Sequence, residues 1–402
     1  MAGDTARPYP APELPGLDFD PFLAGALREG PAVRIRLPCG EGEAECWLVT
    51  RYEDVRFVTS DPRFSRQILG CPIPSMNRYL IPLDSAVSFV DPPDHTRVRT
   101  VVAPAFSALS AERLRPRAQV LMDGLLLSLE AQGPPADLIR HVISPFPLTL
   151  IGEILGIADE DRPQIRDWAQ ALLTRATSNE DVTHGRAIRA SLHQFFSELA
   201  ARRRAHPRTD LMTTMVTAVT DGRISEEELL AIASLIAVNG WHAMRNILAN
   251  MVYTLLTHPQ LMRQLRQHYL LTPTAVEELL RWIPHKNGIG QPRKATHDVH
   301  VGDTLIRADE YVYVSYVAAN WDSARYPQPE RIDFHRQGPP HLAFGHGPHY
   351  CLGPHLARME AAVLLSTLVG RFPHLRLAVP PSQVQWQARA LIRGPVTLPA
   401  AW

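Results

Sequence analysis

The stretch Phe344–Gly353 reads Phe-Gly-His-Gly-Pro-His-Tyr-Cys-Leu-Gly. Its cysteine, Cys351, lies in a glycine-bearing loop directly before an apolar run with helical spacing. The N–H groups and positive dipole end of a helix N-terminus favour a thiolate over a thiol. Glycines let the backbone approach a metal plane and donate to the sulfur. The stretch therefore predicts an anionic sulfur ligand for an iron centre, shielded by Phe344. A structural buried cysteine would not need the aromatic residue, the glycines and the histidine together.

The stretch resembles the cysteine loop of the cytochrome P450 superfamily, whose members bind haem through a cysteine thiolate. Further segments resemble other motifs of this superfamily and occur in its order: Asp91–Arg99, Glu278–Arg281, Asn320–Asp322 and Phe334–Arg336. The resemblance implies a mainly α fold, a single triangular P450 domain of about a dozen helices with small peripheral β-sheets. This domain would span residues 1–402, with 1–15 as a flexible N-terminus.

Composition is that of a globular protein and gives no sign of a nucleic-acid or membrane partner. The chain has 402 residues, of which 45% are hydrophobic, and its formal net charge is zero. The polar, proline-rich segment Met1–Pro15 contains neither a signal-peptide core nor an apolar span of about 20 residues. We therefore expect a soluble, cytoplasmic monomer of the bacterial type within this superfamily.

The chain contains four cysteines, Cys39, Cys46, Cys71 and Cys351. The first two flank an expected hairpin, so a disulfide between them is conceivable. A cytoplasmic setting favours thiols instead. None of the four has the spacing of a zinc site.

Hydrophobic periodicity alone predicts a mainly helical chain. Helical patterns dominate from Ala111 to His268, and strand-like runs occur at Val33–Leu37, Cys46–Thr50, Val299–Val301, Tyr311–Val317 and near the C-terminus. The longest predicted helix begins after Ser225, which forms a capping-box pattern with Glu228, and ends before Pro259. By itself this pattern indicates a buried core helix. The resemblance implies that the helix passes over the distal face of the haem.

Buried haem propionates need cations or hydrogen-bond donors. His95 and Arg99 are four residues apart, so both could reach one edge of a porphyrin from one helix face. By the resemblance, Arg293 and His349 are further propionate ligands, although any one of these residues taken singly would be expected at the surface. The resemblance also implies that Glu278 and Arg281, together with Arg336, form a structural clamp behind the haem. A clamp of this kind serves folding and haem retention rather than chemistry.

The distal helix departs from the superfamily. The pattern A-G-x-[D/E]-T-T aligns with Asn239-Gly240-Trp241-His242-Ala243-Met244. Gly240 is kept, but His242 replaces the acid and Ala243 replaces the threonine, whose hydroxyl orders a water for proton delivery. Three interpretations stay open: His242 relays protons; a polar group of the substrate, or a water that it holds, replaces the threonine; or the enzyme is degenerate or peroxide-driven. The second, helped by the first, is favoured. The absence of the Arg-Pro of the peroxide-using branch counts against the third.

Helical spacing places Asn239, Ala243 and Asn246 along one stripe. Two amides near the iron would suit a substrate rich in amide or carbonyl groups, whereas Asn246 could instead face a water pocket or cap a kink. The resemblance places three more segments at the substrate pocket. They are Met76–Phe89, including Leu80; Lys286–Ile289, including Asn287; and Ala390–Ile392, including Leu391.

The resemblance implies a haem-thiolate oxidase of bacterial secondary metabolism with haem b as cofactor. It would use O₂ and electrons from NAD(P)H, delivered by an external ferredoxin and ferredoxin reductase. The favoured reaction is oxidative C–C or C–N coupling of an aromatic substrate, such as a tryptophan- or tyrosine-containing cyclic dipeptide. The first alternative is hydroxylation or epoxidation with substrate-assisted proton delivery. A non-catalytic haem-bearing recruitment domain is the third, and the presence of both Arg281 and Cys351 disfavours it.

Overall fold

The computed structural model describes residues 6–9, 14, 16–39, 42–68, 87–174, 176, 178–285 and 290–402, and the side chain of Cys39 is not among the described groups. Within them the α-helices are α1 (Pro21–Glu29), α2 (Tyr52–Ser60), α3 (Asp94–Val102), α4 (Ala108–Gln132), α5 (Pro145–Leu155), α6 (Arg162–Leu172), α7 (Asn179–Ala205), α8 (Leu211–Thr220), α9 (Glu226–Thr257), α10 (Pro259–Gln267), α11 (Thr272–Trp282), α12 (Tyr316–Ala319) and α13 (Pro354–Arg371). A π-helical turn, Ile139–Ile143, precedes α5, and a 3₁₀ turn, Val87–Phe89, precedes α3. The predicted mainly α fold is confirmed.

The strands are short and peripheral. They are β1 (Arg7–Pro8), β2 (Ala32–Cys39), β3 (Gly42–Val49), β4 (Phe64–Ser65), β5 (Ala136–Asp137), β6 (Arg293–Ala295), β7 (Val299–Val301), β8 (Thr304–Ile306), β9 (Tyr311–Val314), β10 (Arg376–Leu377) and β11 (Pro399–Ala401). They form a sheet of order β1-β2-β3-β9-β6-β4, a sheet of order β10-β11-β5, and the pair β7-β8. The predicted strand over Tyr311–Val317 is too long, because Ser315 Oγ accepts from Ala318 N and caps α12.

One expectation about the N-terminal part is corrected, and the state of Cys46, which the sequence left open, is decided. The flexible N-terminus is wrong for residues 7–9, because β1 pairs with β2 and the buried Tyr9 donates its hydroxyl to Asp20. In the β2–β3 hairpin, Cys46 lies opposite Ile35, whereas Cys39 lies opposite Gly42. The two cysteines are therefore about four strand residues apart, too far for a disulfide. Cys46 is a buried thiol, and burial raises its pKa.

Helix α9 runs through the main hydrophobic core. The predicted capping box is present: Ser225 Oγ accepts from Glu228 N at 3.1 Å, and Ser225 N donates to Glu228 Oε2 at 2.8 Å. The helix ends at Thr257, two residues before Pro259, as predicted. Its length of 32 residues corresponds to about 48 Å. It packs against α5, α6 and α7 and also contacts α13, the helix after Cys351.

Helix α13 follows the cysteine loop and packs on α4 and α11. The predicted pair on α11 is present, since Arg281 donates Nε to Glu278 Oε2 and Nη2 to Glu278 Oε1, both at 2.8 Å. Arg336 adds a third contact, with its Nε 3.0 Å from Glu278 Oε1. Arg281 Nη1 also donates to the Asn320 carbonyl at 3.0 Å. This cluster holds the segment that leads into the cysteine loop against α11.

Candidate haem and substrate site

The cysteine loop is closed by its own backbone and by two glycines. Cys351 N donates to the Phe344 carbonyl at 2.8 Å. Gly345 and Gly347 adopt φ of 78° and 75°, values that side chains disfavour. A Cβ at Gly347 would also overlap the Thr59 carbonyl on α2. The loop thus needs glycine at Gly347 for both conformation and space.

Several residues pack around the cysteine loop. Phe344 is buried, and the Arg358 guanidinium lies 4.7 Å from the centre of its ring. Gly353 is the N-cap of α13, where a Cβ would meet only ordinary contact with Phe106. Cys351 is half-buried just before the helix N-terminus. This position suits a thiolate, because the helix dipole and the N-terminal N–H groups favour negative charge.

Arg99 contacts the same loop. Its Nη2 donates to the Tyr350 carbonyl at 2.6 Å and to the Cys351 carbonyl at 3.3 Å. Burial lowers the pKa of Arg99, while the neighbouring Cys351 opposes that shift. The expected propionate ligand therefore also ties α3 to the cysteine loop, a contact that the four-residue spacing did not predict.

The expected propionate ligands come together in a buried cationic group. The rings of His95 and His349 lie 4.4 Å apart. Burial, together with the nearby Arg66, His95, Arg293 and Arg99, lowers the pKa of His349 to about 2. Burial lowers the pKa of His95 to about 4, with Arg99 and Arg66 acting in the same direction.

These basic groups have buried nitrogens without described partners, among them His95 Nδ1 and Arg293 Nη2. Asp91 is the acid whose charge opposes the pKa shift of His95. Burying several basic groups beside one carboxylate is costly unless further anions pair with them. Two carboxylates entering this space would supply those anions, so the residues present fit the propionate edge of a haem.

Arg66 belongs to this group and was missed by the sequence reasoning. It is buried, and burial together with Arg293 lowers its pKa to about 9. Its Nη2 donates to the Ser88 carbonyl at 2.7 Å and to Gln291, while its Nε has no described partner. No local motif marks Arg66. This residue directly follows β4, and it comes close to Arg293 only because β4 pairs with β6.

The distal helix exposes one row of side chains in its central part. Leu235, Ala243 and Ile247 are half-buried, and Asn239 between them is exposed. Residues four apart share a helix face, so this row borders an open space beside an otherwise buried helix. Ala243 and Asn239 thus lie where a substrate-facing surface is expected. Gly240 instead faces α5, where a Cβ would lie 2.6 Å from Ile151 Cγ1, so its role is close packing rather than catalysis.

His242 is not on the accessible row. Its side chain is 0% exposed, and neither ring nitrogen has a partner among the described residues. Burial lowers its pKa to about 3, with Arg245 acting in the same direction. The ring is therefore neutral at physiological pH. The described residues provide no hydrogen-bonded path from it to solvent, which weakens the proton-relay interpretation.

Asn246 does not take the expected pocket position. Its side chain is 0% exposed, and Nδ2 donates to Gln387 Oε1 at 3.1 Å and to the Ile392 carbonyl at 2.9 Å. Its Oδ1 accepts from Arg245 Nη1 at 2.5 Å. The amide therefore anchors the segment that contains Gln387 and Ile392, here called the C-terminal loop, to α9. The prediction failed because helical spacing places Asn246 near the accessible row but does not show that another segment of the chain covers it.

The other expected pocket residues are only partly described. Phe89 is buried in the turn before α3, and the Arg66 guanidinium lies 5.8 Å from its ring centre. Leu391 is half-buried, and its backbone N donates to the Leu173 carbonyl at 3.2 Å. Met76, Leu80, Asn287 and Ile289 lie outside the described residues.

The cytochrome P450 family model matches residues 144–397. The chain is 42% identical to biflaviolin synthase CYP158A1 of Streptomyces coelicolor, over 98% of this chain and 96% of that protein. The chain belongs to the cytochrome P450 family. This P450 is also 42% identical to nocardicin C N-oxygenase of Nocardia uniformis, with both chains covered completely. A crystal structure of cytochrome P450mel 107F1 with biaryl coupling reactivity superposes with a TM-score of 0.94 at 41% identity, over 99% of this chain and 100% of that one.

Membership makes this P450 a haem oxidoreductase that uses O₂, and its relatives indicate natural-product tailoring in bacteria. Among the described helices, none is long and apolar enough to span a membrane.

Proposed function

We propose that this P450 joins two aromatic positions of a natural product through a C–C or C–N bond, without adding oxygen. The observation that carries the proposal is the accessible row on α9, where Ala243 provides no hydroxyl and Asn239 is the polar member. Likeness to a biflaviolin synthase and to a P450 with biaryl coupling reactivity supports it. The substrate class proposed is a tryptophan- or tyrosine-containing cyclic dipeptide.

The chain's own residues would hold the cofactor and shape its surroundings. Cys351 would be the sulfur ligand that holds the haem iron, with the N-terminus of α13 stabilising its negative charge. Arg66 and Arg293 would pair with the charges of the propionates, and His95 and His349 would donate hydrogen bonds to them. The haem, when bound, supplies oxidation by O₂, and the thiolate contributes electron density to that chemistry.

The proposed coupling consumes O₂ and forms water. Two aromatic positions each lose one hydrogen, and a bond forms between them. The two hydrogens, one O₂, two electrons and two protons give two molecules of water. The electrons come from an external ferredoxin, which in turn receives them from NAD(P)H through a ferredoxin reductase.

Proton delivery cannot rely on the missing acid and alcohol. Ala243 has no hydroxyl with which to hold a water, and the neutral ring of His242 is enclosed. A polar group on the bound substrate, or a water that this group holds, therefore takes over the positioning of the proton donor. Losing a positioned donor typically costs about 10²–10⁴-fold in rate. Poor substrates that lack such a group should then consume reductant without forming product.

Oxygen insertion is the second candidate reaction. The 42% identical nocardicin C N-oxygenase favours it, since its name is that of an oxygen-transferring enzyme. Hydroxylation or epoxidation would place one oxygen atom in the product and the other in water, with the same two electrons and two protons. The substrate would again complete the proton path.

Mass spectrometry of the product formed under ¹⁸O₂ separates the two reactions. Coupling predicts a product that has lost two hydrogens and carries no label. A product that is heavier by one ¹⁸O atom would reject coupling and support oxygen insertion. A carbon monoxide difference spectrum on the same preparation, together with turnover, tests the remaining possibility of a non-catalytic haem-bearing domain.

A further inference from the structure

The accessible row on α9 contains one polar side chain. Its members are Leu235, Asn239, Ala243 and Ile247, and Asn239 is the most exposed of the four. The positions between them on the helix are mostly buried against neighbouring elements. A ligand lying along this row would therefore meet apolar surface everywhere except at the Asn239 carboxamide.

The orientation of that carboxamide is set by the helix itself. Asn239 Nδ2 donates to the Leu235 carbonyl, one turn earlier, at 3.0 Å. Exchanging the nitrogen and oxygen would place two carbonyl oxygens against each other, so the hydrogen bond fixes which atom is which. Oδ1 is consequently turned away from Leu235. Within the part of the chain that the structure describes, no protein group donates to it.

We propose that Asn239 Oδ1 accepts a hydrogen bond from an N–H or O–H group of the aromatic substrate. Asn239 would thereby select an indole or a phenol over the corresponding N-methyl or O-methyl compound. The inference deepens the proposed coupling function and rests on it, because indole N–H and phenol O–H are the groups adjacent to the positions that couple. It also revises the expectation of a carbonyl-rich substrate, since the presented atom is an acceptor.

The preference for a ligand with an N–H or O–H group arises because the bound ligand shields Asn239 from water. A ligand that covers Asn239 removes water from Oδ1, and an oxygen left buried without a donor costs about 1–3 kcal/mol. That cost corresponds to a difference of about 10- to 100-fold in dissociation constant. A site built around a hydrogen bond rejects the analogue that lacks the donor more strongly than an apolar pocket rejects an added methyl group.

Spectral titration of the haem-bound protein provides the test and does not require turnover. The probes are indole with 1-methylindole, and 2-naphthol with 2-methoxynaphthalene, each followed by the change in Soret absorption. We expect the donor-bearing member of each pair to bind about 10- to 100-fold more tightly. In Asn239→Leu and in Asn239→Ala this preference should disappear, whereas Ile247→Val, which alters only the apolar part of the row, should keep it.

Three results would overturn the inference. The unmodified protein binds both members of a pair equally, it binds neither member, or the preference persists in both Asn239 variants. The carbon monoxide difference spectrum of each variant verifies that haem and fold are retained. Failure here is distinguishable from failure of the coupling proposal, because the latter is decided by the mass and ¹⁸O content of the product and not by these affinities.

Discussion

Glu278 and Arg281 form a buried, bidentate ion pair. Both N–O distances are 2.8 Å, and both side chains are at most 4% exposed. The Glu278 carboxylate also accepts hydrogen bonds from Asp333 N and from the Arg336 guanidinium. One carboxylate thus joins α11 to the segment before the cysteine loop. The pair stabilises the position of Cys351 without touching it.

Glu278→Ala should therefore give a chain that fails to retain haem. Removing one partner of a buried pair typically costs about 3–5 kcal/mol, because the other charge stays buried and unpaired. The matched control is Glu112→Ala, which breaks an exposed pair with Arg115 at the same i,i+3 spacing. Exposed pairs contribute at most about 1 kcal/mol. The ratio of Soret to protein absorbance after purification measures the effect, and a normal ratio in Glu278→Ala would reject this role.

The two positive-φ glycines of the cysteine loop should differ in their tolerance of alanine. Gly345 and Gly347 have nearly equal φ, so backbone strain costs each alanine a similar amount, about 1–2 kcal/mol. A Cβ at Gly345 would lie 3.5 Å from the Tyr316 hydroxyl, which is ordinary contact, whereas at Gly347 it would overlap the Thr59 carbonyl. Haem content should therefore fall much further in Gly347→Ala than in Gly345→Ala. Equal losses in the two variants would show that the overlap is relieved by movement.

Asn239 and Asn246 on α9 should differ in their response to replacement by leucine. Asn246→Leu removes the donor to Ile392 and Gln387 and the acceptor of Arg245, leaving buried groups that cost about 1–3 kcal/mol each. Asn239→Leu removes one exposed hydrogen bond and should leave the free energy of unfolding almost unchanged. Urea unfolding of the two variants compares them directly. A loss of stability confined to Asn239→Leu would contradict the assignment of Asn246 as the anchor of the C-terminal loop.

Local rules in the sequence were sufficient for the start of α9 and for the Glu278–Arg281 pair of the clamp. The spacing of Ser225 and Glu228 determines the capping box, and the spacing of Glu278 and Arg281 determines their pairing, since both depend on one helical turn. Each of these contacts joins residues that are close in the chain.

Contacts between distant segments were not predictable from the same rules. Arg66 reaches the cationic group only because β4 pairs with β6, and Gly240 is needed only because Ile151 on α5 packs against it. Asn246 was assigned to the pocket because helical spacing specifies a face approximately and does not say what covers that face. The C-terminal loop covers it here, through the Ile392 carbonyl.

The enclosed ring of His242 should make stability depend on pH. Burial lowers its folded-state pKa from 6.5 to about 3, so below pH 6.5 the unfolded chain binds a proton that the folded chain does not. The contribution of His242 to the free energy of unfolding is therefore complete above pH 6.5. It falls with acidification, by roughly 2 kcal/mol at pH 5. His242→Leu removes that dependence and also removes two unpaired ring nitrogens. Its free energy of unfolding should match or exceed that of the unmodified protein at pH 8, and the difference should grow at pH 5. Replacement of the exposed His193 on α7 by leucine is the control, and a pH-independent difference for His242→Leu would show that the ring gains a partner or a proton in the folded protein.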